Sequence, residues 1–515
     1  MVDLLLSMGN VITLDPAYPE AQWIAIRNNR IVAVGKEGDL KDFQKRNTRV
    51  IDCSGKTILP GFIDAHCHLH AFAESFVILN LEPRNPIRSI SDIQRKIRDL
   101  SQQLPPGTWI RGRGYNEFYL EEKRHPNRWD LDQITSKHPV KLTHRTGHAH
   151  VLNSFALRLV GISEETPDPA GGLIDRNIET GEPTGLLYRM GDFLSKRIPP
   201  LDDQPLNQGM KLANRKLLSL GITSIQDASS HNGMEQWKMF HRWKDKGILN
   251  PRVVMMLGIR NFSEYREGNF VTPLTRNELR LGGVKIIIDQ TTGSLSPEQE
   301  ELNETVLKIH KSGFQACLHA VEENTVEAAC SAIEYALRKS PGSDPRHRIE
   351  HCSVCPPALA KKLGSLGIMV VTQPSFIYYS GERYLEAVPK DQLKHLYPIA
   401  TLLKSGVNMA GSSDCPIAPA NPLMGIYAAT SRIAETGETV LTEERITPAE
   451  ALRLYGDRAA RTSFEETLKG SISPGKLADL VVLNGDPTRI PIDEIKHLEV
   501  EMTILDGKVV WDKTN

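Results

Sequence analysis

Eight short apolar runs constrain this chain more than any other feature. They fall at 58–68, 222–227, 252–258, 283–289, 314–319, 347–351, 367–373 and 407–414. Helical stretches lie between most of them, among them 300–312, 322–339 and 356–366. Parallel strands need long crossovers, so eight repeated strand-then-helix units predict an α/β fold, a (β/α)8 TIM barrel. Such a barrel takes about 250 residues, and the middle of this 515-residue chain has more. The excess, 72–205, holds strand-like 109–114 and 140–146, a helix-like 151–160 and a turn at 179–183. It reads as an inserted α/β subdomain within the barrel. Both chain ends instead carry short strands around turn signals such as Asn28-Asn29-Arg30 and Asp506-Gly507. The expected organisation is a composite β-sandwich from 1–58 and 466–515, with the barrel over 59–465.

Composition excludes several classes of partner. A formal net charge of −1 gives no electrostatic reason to expect nucleic acid or an anionic membrane. No stretch approaches the roughly 20 apolar residues of a membrane span. Leu4-Leu5-Leu6 has no basic flank, so a signal peptide is not expected. Seven cysteines, an odd number, fit free thiols in the cytoplasm. A small-molecule substrate is expected, with a homo-oligomer as the base-rate assembly.

The residues that end the strands carry the chemistry, because barrel active sites lie at the C-terminal ends. Strand one ends in His66-Cys67-His68, where positions two apart share a face. Strand four carries Lys285 inside an apolar run, strand five ends in His319, strand six in Glu350-His351, and strand eight in Ser413-Asp414. Imidazole nitrogens and a carboxylate suit Zn²⁺ and similar divalent ions. A lysine ammonium cannot ligate a metal, but an amine carbamylated by CO₂ becomes a carboxylate-like bridge. Burial in an apolar strand favours the neutral amine which that reaction needs. The alternative is a Lys285 ammonium paired with Asp289 or another carboxylate. Each histidine alone reads equally as a hydrogen-bonded core residue, and Asp414 as a turn cap. The coincidence of five strand ends is what points to metal.

These motifs resemble the amidohydrolase superfamily: Pro60-Gly61-Phe62-Ile63-Asp64-Ala65-His66-Cys67-His68, Val284-Lys285, His319, Ile349-Glu350-His351 and Ser413-Asp414-Cys415-Pro416. Ser473-Pro474-Gly475-Lys476-Leu477-Ala478-Asp479-Leu480 adds to the likeness where the chain re-enters the small β domain. Gly147-His148-Ala149 and Gly181-Glu182-Pro183-Thr184-Gly185 are similar to the subgroup of YtcJ-like hydrolases and N-substituted formamide deformylases. The resemblance implies one metal on His66, His68 and Asp414 and a second on His319 and His351. Carbamylated Lys285 and a hydroxide would bridge two ions, Zn²⁺ first, Mn²⁺ or Fe²⁺ otherwise. It further implies hydrolysis of a non-peptide carbon–nitrogen bond by a metal-activated hydroxide, with Asp414 as general base and acid. A mononuclear deaminase on the same fold is the competing enzyme reading, and a metal-free scaffold protein the competing class.

Three further residues are candidate substrate contacts. His148 reaches in from the insertion or caps the helix that follows it. Tyr378, in the aromatic run after strand seven, lines a pocket or packs its loop. Arg383 offers a partner for a substrate carboxylate. Cys67, Cys352 and Cys415 each follow a proposed ligand by one residue, so alternation is expected to turn them away from the metals.

Overall fold

The computed structural model describes residues 2–36, 40, 43–169, 171–267, 275–276, 278–290, 293–342 and 344–514. The chain forms two compact units. One comprises Met1–Leu69 with Asn214–Asn515, the other His70–Ala213.

The first unit contains the barrel. Its strands are β1 (Phe62–Cys67), β2 (Ile222–Asp227), β3 (Arg252–Gly258), β4 (Leu279–Ile287), β5 (Ala316–Ala320), β6 (Arg348–His351), β7 (Met369–Thr372) and β8 (Met409–Gly411). Each pairs with its sequence neighbour in parallel register, for example Val284 with Ala316 and Leu318 with Ile349. β1, β2 and β6 to β8 are buried at every position. That is why they read as continuous rather than alternating apolar runs. β4 starts four residues before the expected position, because Leu279 already pairs with Val253. Gly283 lets β4 approach β5 closely, since a Cβ there would lie 2.7 Å from the Gln315 carbonyl oxygen.

The ring closes between β8 and β1. Asp414 N–H donates to His66 O at 2.9 Å, and His68 N–H donates to Cys415 O at 2.8 Å. Ser413 N–H reaches Asp64 Oδ1 at 3.0 Å. Burial pushes the Asp64 carboxyl up to about 6, although the bonds from Ser413 act against that rise. This seam joins segments about 350 residues apart. Loop closure over such a span is the entropic step that local pattern cannot supply.

Two small sheets from both chain ends complete this unit. One orders Arg30–Gly35, Trp23–Arg27, Leu4–Ser7 and Arg49–Asp52; the other orders Asn10–Val11, Thr57–Pro60, Leu480–Leu483, Val500–Leu505 and Lys508–Asp512. Leu4, Leu6, Ile24 and Ile26 from the first meet Ile58, Leu480, Val482 and Ile504 from the second in one core.

The second unit has its own six-stranded mixed sheet, ordered Leu173–Arg176, Pro183–Tyr188, Ala149–Leu152, Val140–His144, Ile110–Tyr115 and Leu79–Asn80. The expected helix over 151–160 is split. Val151 pairs with Leu142 and Leu186, so Ala149–Leu152 is a strand. The helix is Ser154–Val160, capped by Asn153, whose Oδ1 accepts from Ala156 N–H at 3.0 Å. His148 therefore does not cap it. The residues after β7 also differ from the expected loop: Ser375–Ala387 is a helix. No helix among the described residues is long and apolar enough to cross a membrane.

Candidate metal centre

Closure of the barrel brings three candidate ligands to one point. His66 on β1, His68 just beyond it and Asp414 just beyond β8 place one donor atom each within 4.8 Å of one another. Asp414 Oδ1 lies 2.9 Å from His68 Nε2 and 3.6 Å from His66 Nε2. Donor atoms around a tetrahedral Zn²⁺ with bonds of about 2.1 Å stand roughly 3.4 Å apart. Asp414 Oδ1 is buried and faces both ring nitrogens. A carboxylate oxygen and two ring nitrogens this close offer a cation three donors. The donor set fits a divalent metal.

Neighbouring groups fix which nitrogen each ring offers. His66 Nδ1 is 2.5 Å from Glu350 Oε2, His68 Nδ1 is 3.1 Å from Ser229 Oγ, and His351 Nδ1 is 2.7 Å from Gln373 Oε1. A carboxylate and an amide oxygen only accept, so His66 and His351 donate from Nδ1 and keep Nε2 as a lone pair. Gln373 is held in turn, its Nε2 donating to Ser412 Oγ at 3.0 Å. Glu350 is gripped by Arg348, which also donates to Gln226 Oε1 and, at 2.7 Å, to Ala65 O.

Electrostatics follow from this burial. Burial lowers the His66 ring to about 3, and the nearby Lys285 charge adds to that fall. Burial likewise lowers His351. Burial alone would raise Asp414, but His68 beside it holds it well below the usual carboxylate range. Glu350 is held low in the same way, chiefly by Arg348. Neutral rings and an ionised carboxylate are the states a metal requires.

Lys285 sits beside the three donors, with Nζ 3.4 Å from His66 Nε2. Burial lowers its pKa, while Glu350 and Asp414 push it back up. Those two carboxylates, rather than Asp289, are the ones that act on it. His319 and His351 lie alongside, with ring centroids 4.4 Å apart and His351 4.9 Å from His66. All six residues proposed from strand ends thus gather at one end of the barrel. Sequence reasoning gave no role to Glu350, Arg348, Gln373 or Ser229. The available signal was Arg348-Ile349-Glu350, two opposite charges sharing one face of an apolar strand.

Backbone conformation explains how consecutive residues serve one site. Alternation would turn His351 away from the side Glu350 faces. His351 has φ +74° and Asp414 φ +57°, left-handed values that non-glycine residues seldom adopt. Cys67, Cys352 and Cys415, expected to turn away from the metals, are all buried. All seven thiols are free and buried.

The three candidate substrate residues are placed as follows. Tyr378 is on the helix Ser375–Ala387, its ring edge-on to Tyr379 and Tyr427 at 5.1 and 5.8 Å. Arg383 is on the same helix, stacked 4.8 Å over the Tyr384 ring, with Nε buried and lacking an acceptor. His148 lies in the other compact unit, immediately before the strand Ala149–Leu152.

Comparison with known proteins agrees with this architecture. The amidohydrolase family profile matches residues 49–511. The chain is 28% identical to N-substituted formamide deformylase of Arthrobacter pascens, over 100% of this chain and 99% of that one. It is 27% identical to YtcJ of Bacillus subtilis, over 98% and 99%. In fold it is similar to a metal-dependent hydrolase from Pyrococcus horikoshii, with a TM-score of 0.76 at 22% identity over 95% of this chain and 99% of that one. The chain belongs to the amidohydrolase family and is a hydrolase acting on carbon–nitrogen bonds.

Proposed function

We propose that this protein hydrolyses a small amide-type substrate, N-formyl or N-acyl, at a centre of two divalent ions, Zn²⁺ first among them. The observation that carries the reading is the convergence of His66 Nε2, His68 Nε2 and Asp414 Oδ1 with Lys285 Nζ 3.4 Å from His66. His66, His68 and Asp414 would hold one ion, and His319 and His351 the other. Lys285 would join them as a carbamate. Its buried amine attacks the carbon of CO₂ and releases one proton, leaving an N-carboxylate with two donor oxygens. Bound ions of this kind bring the pKa of water towards neutrality and polarise a carbonyl oxygen.

The chain's own residues do the rest. Glu350 holds the His66 Nδ1 proton, so Nε2 stays a donor. Gln373 does the same for His351. Asp414 is ionised in its resting state, accepts the proton released by the attacking water and returns it to the leaving nitrogen. Arg383, with an unsatisfied Nε, is a candidate for a substrate carboxylate, and Tyr378 for a further contact.

The test is metal content with carbamate detection. Protein grown in metal-replete medium and exchanged into ¹³C-bicarbonate should hold about two ions per chain and show a carbamate carbon resonance. Lys285→Ala should lose the resonance and at least one ion. One ion in both proteins and no carbamate would move the assignment to a mononuclear deaminase, which the three-donor cluster alone favours. N-formyl amides are the first substrates to assay, because a relative is named for that chemistry.

A further inference from the structure

The opposite end of the same barrel holds a cavity of about 340 Å³. That lies within the size range of small-molecule sites. Its walls use residues several positions upstream of the metal-site residues on the same strands. Arg280 to Gly283 precede Lys285, Phe314 and Gln315 precede His319, and Arg348 precedes His351. At about 3.3 Å per residue, four residues of strand separate Gln315 from His319 by roughly 13 Å. The cavity is therefore distinct from the metal centre. Arg348 and Gln226 form its inner wall, bonded to each other.

The chemistry of the lining identifies a class of ligand. Val254, Met256, Leu281 and Phe314 supply an apolar wall, and all four side chains are buried. Arg280 supplies the unmatched polar group. Its Nη1 donates to Ser463 O at 2.6 Å, but its Nε is buried without an acceptor. The nearest carboxylate, Glu465, is 4.0 Å away and is neutralised by Lys469 at 2.9 Å. The other charges on the lining are already answered. Arg348 is held by Glu350, and Asp344 by Arg346 at 3.1 Å. His310 donates from Nε2 to Ser340 O and sets Nδ1 against His347, so both its nitrogens are engaged. The Arg280 guanidinium thus lines a chamber of mixed polar and apolar walls with no carboxylate nearer than 4.0 Å among the described residues.

We propose that this cavity binds a small amphipathic carboxylate, its anionic head on Arg280 and its hydrocarbon body against Val254, Met256, Leu281 and Phe314. A carboxylate oxygen pairs there with the Arg280 guanidinium, which lines the chamber, and a short hydrocarbon tail fits the volume. The barrel end that carries no metal ligand thereby becomes a binding face. Because Arg348 lines this chamber and also grips the Glu350 that orients His66, an occupant there touches the support of the metal site.

Octanoate is the probe, titrated calorimetrically into the metal-loaded protein. Binding with a sub-millimolar Kd is expected. Arg280→Gln keeps a side chain able to reach Ser463 O but loses the charge, and should weaken octanoate at least tenfold. Phe464→Glu, at a 40%-exposed rim position, should weaken it similarly without touching the core. Octan-1-ol, lacking the anion, should bind the parent at least tenfold more weakly than octanoate. His68→Ala should leave octanoate affinity within twofold. Absence of binding up to 10 mM overturns the proposal. So does affinity that His68→Ala abolishes and the two cavity variants preserve, which would place the carboxylate on the metal centre instead.

Discussion

Two groups of histidines in this molecule meet opposite fates. In the barrel, His66, His68 and His351 each tie Nδ1 to a neighbour, and His66 and His68 leave Nε2 directed at Asp414. In the other unit, His144 ties Nδ1 to Thr146 Oγ1 at 2.9 Å and sets Nε2 in an ion pair 2.8 Å from Glu117. There too His125 binds the Tyr115 hydroxyl at 3.0 Å, and His138 binds the Thr108 carbonyl at 3.0 Å. The Glu117 carboxyl falls to about 2: burial would raise it, but the His144 bond and charge outweigh that. Histidine number is similar in both groups. What separates a metal site from a structural network is whether the second nitrogen is still available and converges with others.

The largest effect expected is at Asp414. Asp414→Asn should lower kcat on the best substrate roughly 10³-fold or more, in line with the loss of a proton-transfer group. At least half of the bound metal should remain. Full activity in this variant would remove Asp414 from the proton path.

Next is the support of the ligands. Glu350→Gln weakens the acceptor on His66 Nδ1 and should cost about 10–100-fold in metal affinity, measured by chelator competition. Arg348→Met leaves the Glu350 charge buried and unpaired, which should destabilise the protein by about 3–5 kcal/mol in urea unfolding. Unchanged metal affinity in Glu350→Gln would show that the tautomer argument does not govern the site.

A third test uses a histidine outside both groups. His347 is buried, accepts from Ala316 N–H on Nδ1 at 2.9 Å and faces His310 with Nε2. Burial, helped by His310, lowers it to about 3. In the unfolded chain the ring takes a proton near pH 6.5, whereas the native ring refuses it. The unfolded state thus binds more protons between pH 6.5 and 3, and stability falls as pH falls through that window. The contribution approaches about 1.4 kcal/mol per pH unit. Urea unfolding from pH 7 to 5 should show a shallower decline in His347→Gln than in the parent. Equal slopes would mean that His347 titrates normally.

The smallest effect is the control for the comparison itself. His144→Gln should leave metal content unchanged, because its nitrogens are already committed. Loss of an ion from this variant would break the distinction between the two groups.

The sequence by itself determined the barrel strands, their order and the chemical types at their ends. These are local properties. A run buried on both faces must be apolar throughout, and a residue's position in the run sets where it emerges. The same logic misplaced what depends on partners. Val151 became a strand residue because Leu142 and Leu186 lie beside it, and the aromatic run after β7 became a helix rather than a loop. Only the tertiary structure decided the seam that sets Asp414 against His66 and His68, and the Arg348–Glu350–His66 chain that joins β6 to β1 across 284 residues. It also set the left-handed backbone that lets His351 and Glu350 serve one site, and the chamber beneath them. Each depends on contacts between segments far apart in the chain, and periodicity, a short-range property, carries no record of them.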